Sequence, residues 1–363
     1  MPIRAANKAL TKRALNSRRS ALRFCCVLGA ILFWSTKAPG QSELNDEPTS
    51  GLFNIPTFTL GGKQLWTDQI QFRGWRIQQN AYTKHFRLID PRNIRQAWGS
   101  LAQCNNRLEA IKTEQKLAPI SGPVLILLHG LGRSRSSMNA MAESLRSSRG
   151  YEIVNFSYAS TRASVNDHAL ALQSVIEHLP QDCEIDVVAH SLGSLVLRRY
   201  LYNSSEAQAN GVPDPRIHRI VMLGPPNNGA ELAKKLRRTG VFGVVMGKSA
   251  TQLAELKSAD VALELAVPRV EFGILAGNGT IGPLSNPLLS SDNDFFVQVD
   301  ETRLAGATDF LVLPVAHGFM LTDSDVHRAV GSFLSNGYFI SAESRHPIEA
   351  DPPPSGTGAA AIK

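Results

Sequence analysis

From residue 123 to residue 334 the apolar positions switch repeatedly between two periods. Short runs rich in Val, Ile and Leu occur at 123–128 (PVLILL), 152–158 (EIVNFSY), 184–189 (EIDVVA), 217–223 (IHRIVML), 270–276 (VEFGILA) and 310–315 (FLVLPV), and these read as strands. Apolar residues at helical spacing fill about 137–148 and 165–178, a further helix follows Ser191, and a last one runs from Asp323 to Leu334. The strand runs are nearly continuous in apolar character instead of alternating. That predicts strands buried on both faces, and so a mostly parallel central sheet with helices on either side.

The region before it patterns differently. From Gly61 to Asp90 short runs (KQLWTD, FRGWRIQQN, KHFRLID) alternate with turn residues, predicting two or three strands of a small accessory β-structure. Residues 91–117 carry apolar spacing suited to a helix, with Pro91 in its first turn, where a missing N–H costs little. The predicted organisation is a linker over 41–60, the accessory region over 61–120, and an α/β region over 121–340 with a cap or lid insertion around 229–268. A polar, Pro-rich tail predicted to be disordered occupies 341–363. Within the insertion, GVFGVVMG (240–247) is apolar enough to line an acyl pocket or form a lid, and equally suits a buried helix or turn. MGKSA beside it imitates the end of a phosphate-binding loop, but Phe242 stands where that loop needs glycine.

Reactive groups of an α/β sheet gather at the carboxyl ends of its strands, and four features fall there. Ser191 follows the strand at 184–189 in AHSLG, which matches a G-x-S-x-G nucleophile elbow except for Ala189. The flanking positions of an elbow need small residues, and alanine adds one methyl. The strand at 123–128 runs into His129-Gly130-Leu131-Gly132, a glycine-rich turn in which the N–H of Leu131 could join that of Leu192 to hold an oxyanion. Of nine histidines, His317 alone stands just beyond a strand's carboxyl end and downstream of the serine. His129 and His190 read as packing or supporting groups of the two turns. An acid should follow the strand at 270–276, where Asp292, Asp294, Asp300 and Glu301 are all candidates. The chain order Ser, acid, His is that of an α/β-hydrolase.

These motifs carry a family resemblance. Over most of residues 60–336 the chain resembles the lipase-like esterase group of the bacterial α/β-hydrolase superfamily, through GGKQLWTD, GWRIQQN, LLHGLGRS, VAHSLGS, IVMLGPPNNGAELA, VDETRL and LVLPVAHGFM. In that group the acid lies in a D-G-x-V stretch before V-x-x-T-x-L. The resemblance therefore implies Asp294, with Phe295 in place of the glycine and Asp292 as the next choice. It implies an α/β-hydrolase fold and a Ser191–Asp294–His317 triad acting on carboxylic esters through an acyl-enzyme, with no cofactor and no metal. Transfer of the acyl group to an alcohol, or amide cleavage, would use the same triad. An inactive exported binding protein on this scaffold is a further alternative.

Charge and cysteine content refine this picture. The formal net charge is +7, but residues 1–40 hold eight Lys/Arg and no Asp or Glu. Of 38 basic residues 30 remain beyond that segment, against 31 acidic ones, so nothing there suggests a nucleic-acid surface. A basic stretch leading into FCCVLGAILFW (24–34) and then APGQ predicts a signal peptide, or an uncleaved anchor if processing fails. The expected location is outside the cytoplasm, periplasmic or secreted. The expected partner is a small-molecule or lipid ester, with contact at a membrane or lipid interface. Export would permit a disulfide between Cys104 and Cys183, which could equally be free and buried.

Overall fold

The computed structural model describes residues 57–58, 64–146, 148–207, 214–229, 264–279 and 297–349. Residues 1–56, nearly all of the predicted cap, and the segment 280–296 with Asp292 and Asp294 lie outside these.

Six parallel strands form the main sheet: β6 (Val124–Leu128), β7 (Glu152–Phe156), β8 (Ile185–His190), β9 (Ile217–Leu223), β10 (Glu271–Gly277) and β11 (Asp309–Leu313). Their spatial order is β7-β6-β8-β9-β10-β11. Helices α2 (Asn139–Arg146), α3 (Val165–Glu177), α4 (Leu192–Ala207) and α6 (Ser324–Asn336) lie in the connections or after β11, and a single turn, α5 (Val299–Thr302), precedes β11. This is the α/β-hydrolase fold, and each predicted core strand is present to within about two residues.

The pleat divides the core in two. Val124, Ile126 and Leu128 of β6, with Val187 and Ala189 of β8, face one cluster with α3 and α4. Leu125, Leu127, Val188 and Val221 face the other, which includes Met141 and Leu145 of α2 and Val330 and Phe333 of α6. All five residues of β6 are fully buried, which is why its sequence reads as one unbroken apolar run.

The second sheet is antiparallel, in the order β1-β5-β4-β3-β2. Its strands are β1 (Thr57–Phe58), β2 (Trp66–Phe72), β3 (Trp75–Asn80), β4 (Phe86–Ile89) and β5 (Ile94–Gly99). Here the sequence reading needs correction, because residues 94–99 form a strand and helix α1 starts only at Leu101, running to Glu114. Asp90-Pro91 opens a tight turn instead of a helix. The Asp90 carboxylate accepts from the amides of Arg92 and Ile94, and Asn93 takes φ +65°. Ser100 and Gln103 then form the capping box that starts α1.

The two sheets are stitched together by Asp68. Its fully buried carboxylate accepts from Gln71 and Gln78 at 2.6 Å each and from the Ser157 amide, just beyond β7, at 2.7 Å. The Asp68 amide returns a bond to the Ser157 carbonyl at 2.8 Å. Ser174 of α3 adds a hydrogen bond to the Gln69 carbonyl.

Cys104 and Cys183 are both free thiols, buried in separate clusters. Burial pushes the Cys104 thiol up to about 12. At the carboxyl end, residues 341–349 do not begin a loose tail. Gly306 and Ala307 exchange backbone hydrogen bonds with Ile348, and the His346 amide donates to Asp309. Among the described residues no helix is long and apolar enough to cross a membrane.

Candidate active site

The chain enters the main sheet at β6, steps outward to β7, then crosses back to β8 on the other side of β6. Such a reversal leaves a crevice at the carboxyl ends of the two diverging strands. In the pairing of β6 with β8, Leu128 stands opposite Ala189, so His129-Gly130 and His190-Ser191 leave the sheet side by side.

Ser191 has φ +54°. Among the described residues five other non-glycine residues share a positive φ (Gln64, Arg73, Lys84, Asn93 and Lys116), and all five belong to the accessory sheet, its approaches or the end of α1. Among the described residues of the main sheet and its connections this strain falls on Ser191 alone, at about 1–2 kcal/mol for a residue with a Cβ. The position is held by the Ser191 amide donating to the Leu223 carbonyl at 2.9 Å and by the Ser194 amide donating to the Ser191 carbonyl at 3.0 Å. Ser191 is half-buried, while Leu192 behind it is fully buried.

The elbow's two flanking positions are not equivalent. A Cβ at Gly193 would lie 2.8 Å from the Leu128 carbonyl oxygen and 3.0 Å from that of His129, both rigid backbone. Ala189 already carries its methyl within the core cluster beside α3 and α4. The elbow depends on its second glycine, and Ala189 keeps its geometry.

Gly130 brings the preceding turn against the serine, since a Cβ there would meet the Ser191 Cβ at 3.2 Å and the His190 ring at 3.0 Å. The next residue is Leu131. Among the described residues, the amides of Leu131 and Leu192 donate to no other protein group. The second of them opens α4, where the aligned peptide dipoles favour negative charge. The turn itself is braced from outside the sheet. Gly132 donates its amide to Ser160 Oγ at 3.0 Å, Ser160 Oγ reaches Gln64 Oε1 at 3.2 Å, and Gln64 Nε2 donates to the Arg133 carbonyl.

His317 follows β11 in a tight turn and is 7% exposed. Its carbonyl accepts a hydrogen bond from His190 Nε2 at 3.2 Å, and the two imidazole rings lie 4.6 Å apart. A carbonyl can only accept, so His190 carries its proton on Nε2 and leaves Nδ1 bare, without a partner among the described residues. Burial, followed by the nearby positive charge of His317 when protonated, pushes His190 well below the usual histidine range. Burial likewise lowers His129 to about 4 and His168 to about 3. His129 stacks on Tyr158 at 4.1 Å, and the Tyr158 hydroxyl donates to the His129 carbonyl. The floor of the site is therefore a set of neutral imidazoles.

The candidate acids divide cleanly. Glu301 is buried and accepts from the Gln298 amide as part of the cap of α5, while Asp300 is exposed and pairs with Arg303. Both are engaged in local structure. Asp294 and Asp292 lie outside the described residues, but the chain leading to them is visible. The amides of Asn278 and Gly279 donate to the carbonyls of Leu313 and Val315, and a Cβ on Gly279 would strike the Val315 backbone at 2.6 Å. The loop after β10 thus departs against the residue two before His317.

Asn227, in GPPNNG, received no role from the sequence. Its side chain accepts from buried Arg198 of α4 at 3.0 Å and donates to the Thr302 carbonyl at 2.8 Å, joining the loop after β9 to α4 and α5. Gln64 and Ser160 were also missed as supports. Gln64 lies in GGKQLWTD, one of the recognisable motifs, but its partners are about 70–97 residues away. At the opposite, amino end of the sheet Glu184, Asp186 and His218 come close enough to ligate one ion. Arg149 bridges Glu184 and Asp186 at 2.6 and 2.8 Å, and Tyr151 donates to Asp186, so both carboxylates are already engaged.

A family described as a domain of unknown function (DUF7379) matches residues 91–262. No curated protein matches. Among solved structures, the lipase BlEst2 of Bacillus licheniformis in mature form is 18% identical with a TM-score of 0.45, covering 60% of this chain and 94% of its own. The metagenomic carboxyl esterase MGS0156 is 18% identical with a TM-score of 0.40, covering 55% of this chain and 66% of its own. A bromoperoxidase from Bacillus anthracis is 13% identical with a TM-score of 0.38, covering 60% of this chain and 94% of its own.

Proposed function

We propose that this protein is a serine hydrolase that cleaves carboxylic esters, with Ser191 as nucleophile, His317 as general base and Asp294 as the acid that orients it. The observation that carries the reading is the strained backbone of Ser191, φ +54°, where a core strand turns into a helix at the sheet's crevice. Backbone strain at a polar residue persists only where the surroundings enforce it, and it gathers at reactive sites.

In the proposed reaction Ser191 Oγ attacks the ester carbonyl carbon while its proton passes to His317 Nε2. The amides of Leu131 and Leu192 stabilise the oxyanion. Collapse expels the alcohol, which takes the proton from His317, and the acyl group remains on Ser191. Water repeats the sequence and releases the acid. The buried neutral His190 serves as a positioning residue, because it binds the carbonyl of His317 and not its ring. We place the enzyme outside the cytoplasm on account of the basic and apolar segment within residues 1–40.

The test is hydrolysis of p-nitrophenyl esters of graded acyl length, together with labelling by a fluorophosphonate probe. Ser191→Ala should lose both labelling and at least about 10⁴-fold in turnover. Asp294→Asn should be severely impaired and Asp292→Asn close to wild type; the reverse pattern would move the acid to Asp292. An inert wild-type protein that also resists the probe would leave this fold as a binding scaffold.

A further inference from the structure

The turn that carries Leu131 ends in an arginine whose charge has no counterion among the described residues. Elsewhere Arg149, Arg199, Arg216, Arg219, Arg303 and Arg328 each pair with a carboxylate. Arg133 is exposed, and its backbone is fixed. Its amide donates to the Gly130 carbonyl at 3.2 Å, and its own carbonyl accepts from Gln64. Its guanidinium lies directly over Gly318, so close that a Cβ there would stand 2.7 Å from Nη2. Gly318 immediately follows His317, about 4 Å along the chain between Cα atoms. The cation thus stands at the rim of the crevice, between the turn with the free Leu131 amide and the histidine loop. Its field extends to buried His190.

A cation beside the histidine loop has a chemical consequence. An anionic group on the substrate would gain a charge-assisted, bidentate partner there. We infer that Arg133 is a specificity-determining residue and that the preferred substrates are esters bearing a carboxylate or phosphate within reach of the ester bond. This rests on the serine-hydrolase reading of the site.

Two matched pairs of esters distinguish the sources of the anion. One pair is the p-nitrophenyl monoester of glutaric acid and p-nitrophenyl pentanoate; the other is a monoacylglycerol phosphate and its uncharged monoacylglycerol. Wild-type protein should favour the charged member of at least one pair in kcat/KM. Arg133→Gln should lower the charged-to-neutral ratio about tenfold, chiefly through KM, as loss of one charge-assisted contact at a half-open site would. Arg133→Lys should keep part of the preference. Raising the ionic strength from about 0.01 M to about 1 M should erode it in wild type and leave Arg133→Gln flat. Arg328→Gln, a surface control on α6, should leave the ratio unchanged. Hydrolysis of neutral esters with no charge preference, or equal loss on both members in Arg133→Gln, overturns this inference alone. Failure of every ester together with failure of fluorophosphonate labelling overturns the hydrolase reading as well.

Discussion

The two sheets bury themselves by opposite means. The parallel sheet excludes polar side chains from its centre, and β6 and most of β8 consist of apolar residues sealed on both faces. The antiparallel sheet places Asp68, Gln78, Arg76 and Arg87 among its buried residues and ties them laterally, with Gln78 bonded at once to Asp68 and Arg87, while Arg76 Nε has no partner among the described residues. Burial lowers Arg76 and Arg87 to about 10, with the Asp68 carboxylate opposing the fall. An apolar sheet tolerates small changes of shape poorly. A polar one depends on every partner, because a lone buried charge costs far more than a missing methyl.

Three substitutions would break or sharpen this contrast. The largest effect is expected in the polar sheet. Asp68→Ala should cost about 3–5 kcal/mol, since it leaves the Ser157 amide and two glutamine donors without their acceptor. Urea unfolding would show it, and a loss below about 1 kcal/mol would mean that water replaces the carboxylate freely. Gly193→Ala probes shape in the parallel sheet. Its new methyl meets backbone at 2.8 Å, so a net cost of about 2 kcal/mol is expected even though alanine returns about 1 kcal/mol of helix preference. A neutral result would show that α4 can slide on β6.

The smallest effect at neutral pH concerns His168, at the border of the two regions on α3, whose ring nitrogens have no partner among the described residues. Its folded pKa of about 3 lies below the ordinary value near 6.5. The unfolded chain therefore binds the extra proton first, and stability declines as pH falls from about 6.5 toward 3, by about 1.4 kcal/mol per pH unit for this group. His168→Leu should flatten the stability profile over that window by about one proton and leave its high-pH arm parallel to wild type. Unchanged slopes in urea midpoints measured at several pH values would refute it.

The same contrast explains what the sequence disclosed. Continuous burial leaves a one-dimensional trace, so β6 to β11 could be read directly, and so could the glycine turn and elbow at their ends. The lateral bonds of the polar sheet leave none. Asp90-Pro91 looked like a helix start because nothing nearby reveals that its carboxylate turns back to hold Ile94. Gln64 and Ser160 were invisible as supports of the Leu131 turn for the same reason. Ala189 departs from the elbow pattern by one tolerable methyl, and in three dimensions it is Gly193 that bears the constraint. His190 looked like packing, and its one hydrogen bond to the His317 loop depends on a contact 127 residues away.

The stitch between Asp68 and Ser157 also bears on the order in which the chain can mature during synthesis. Its acceptor is made 89 residues before its donor. A nascent chain ending near residue 120 would hold a complete set of accessory strands around a carboxylate still waiting for a main-chain amide, and would have to keep that group hydrated. Only when β7 and the turn after it leave the ribosome can water be expelled from the seam. The accessory sheet thus closes only together with the edge of the sheet that follows, before β8 to β11 have been made.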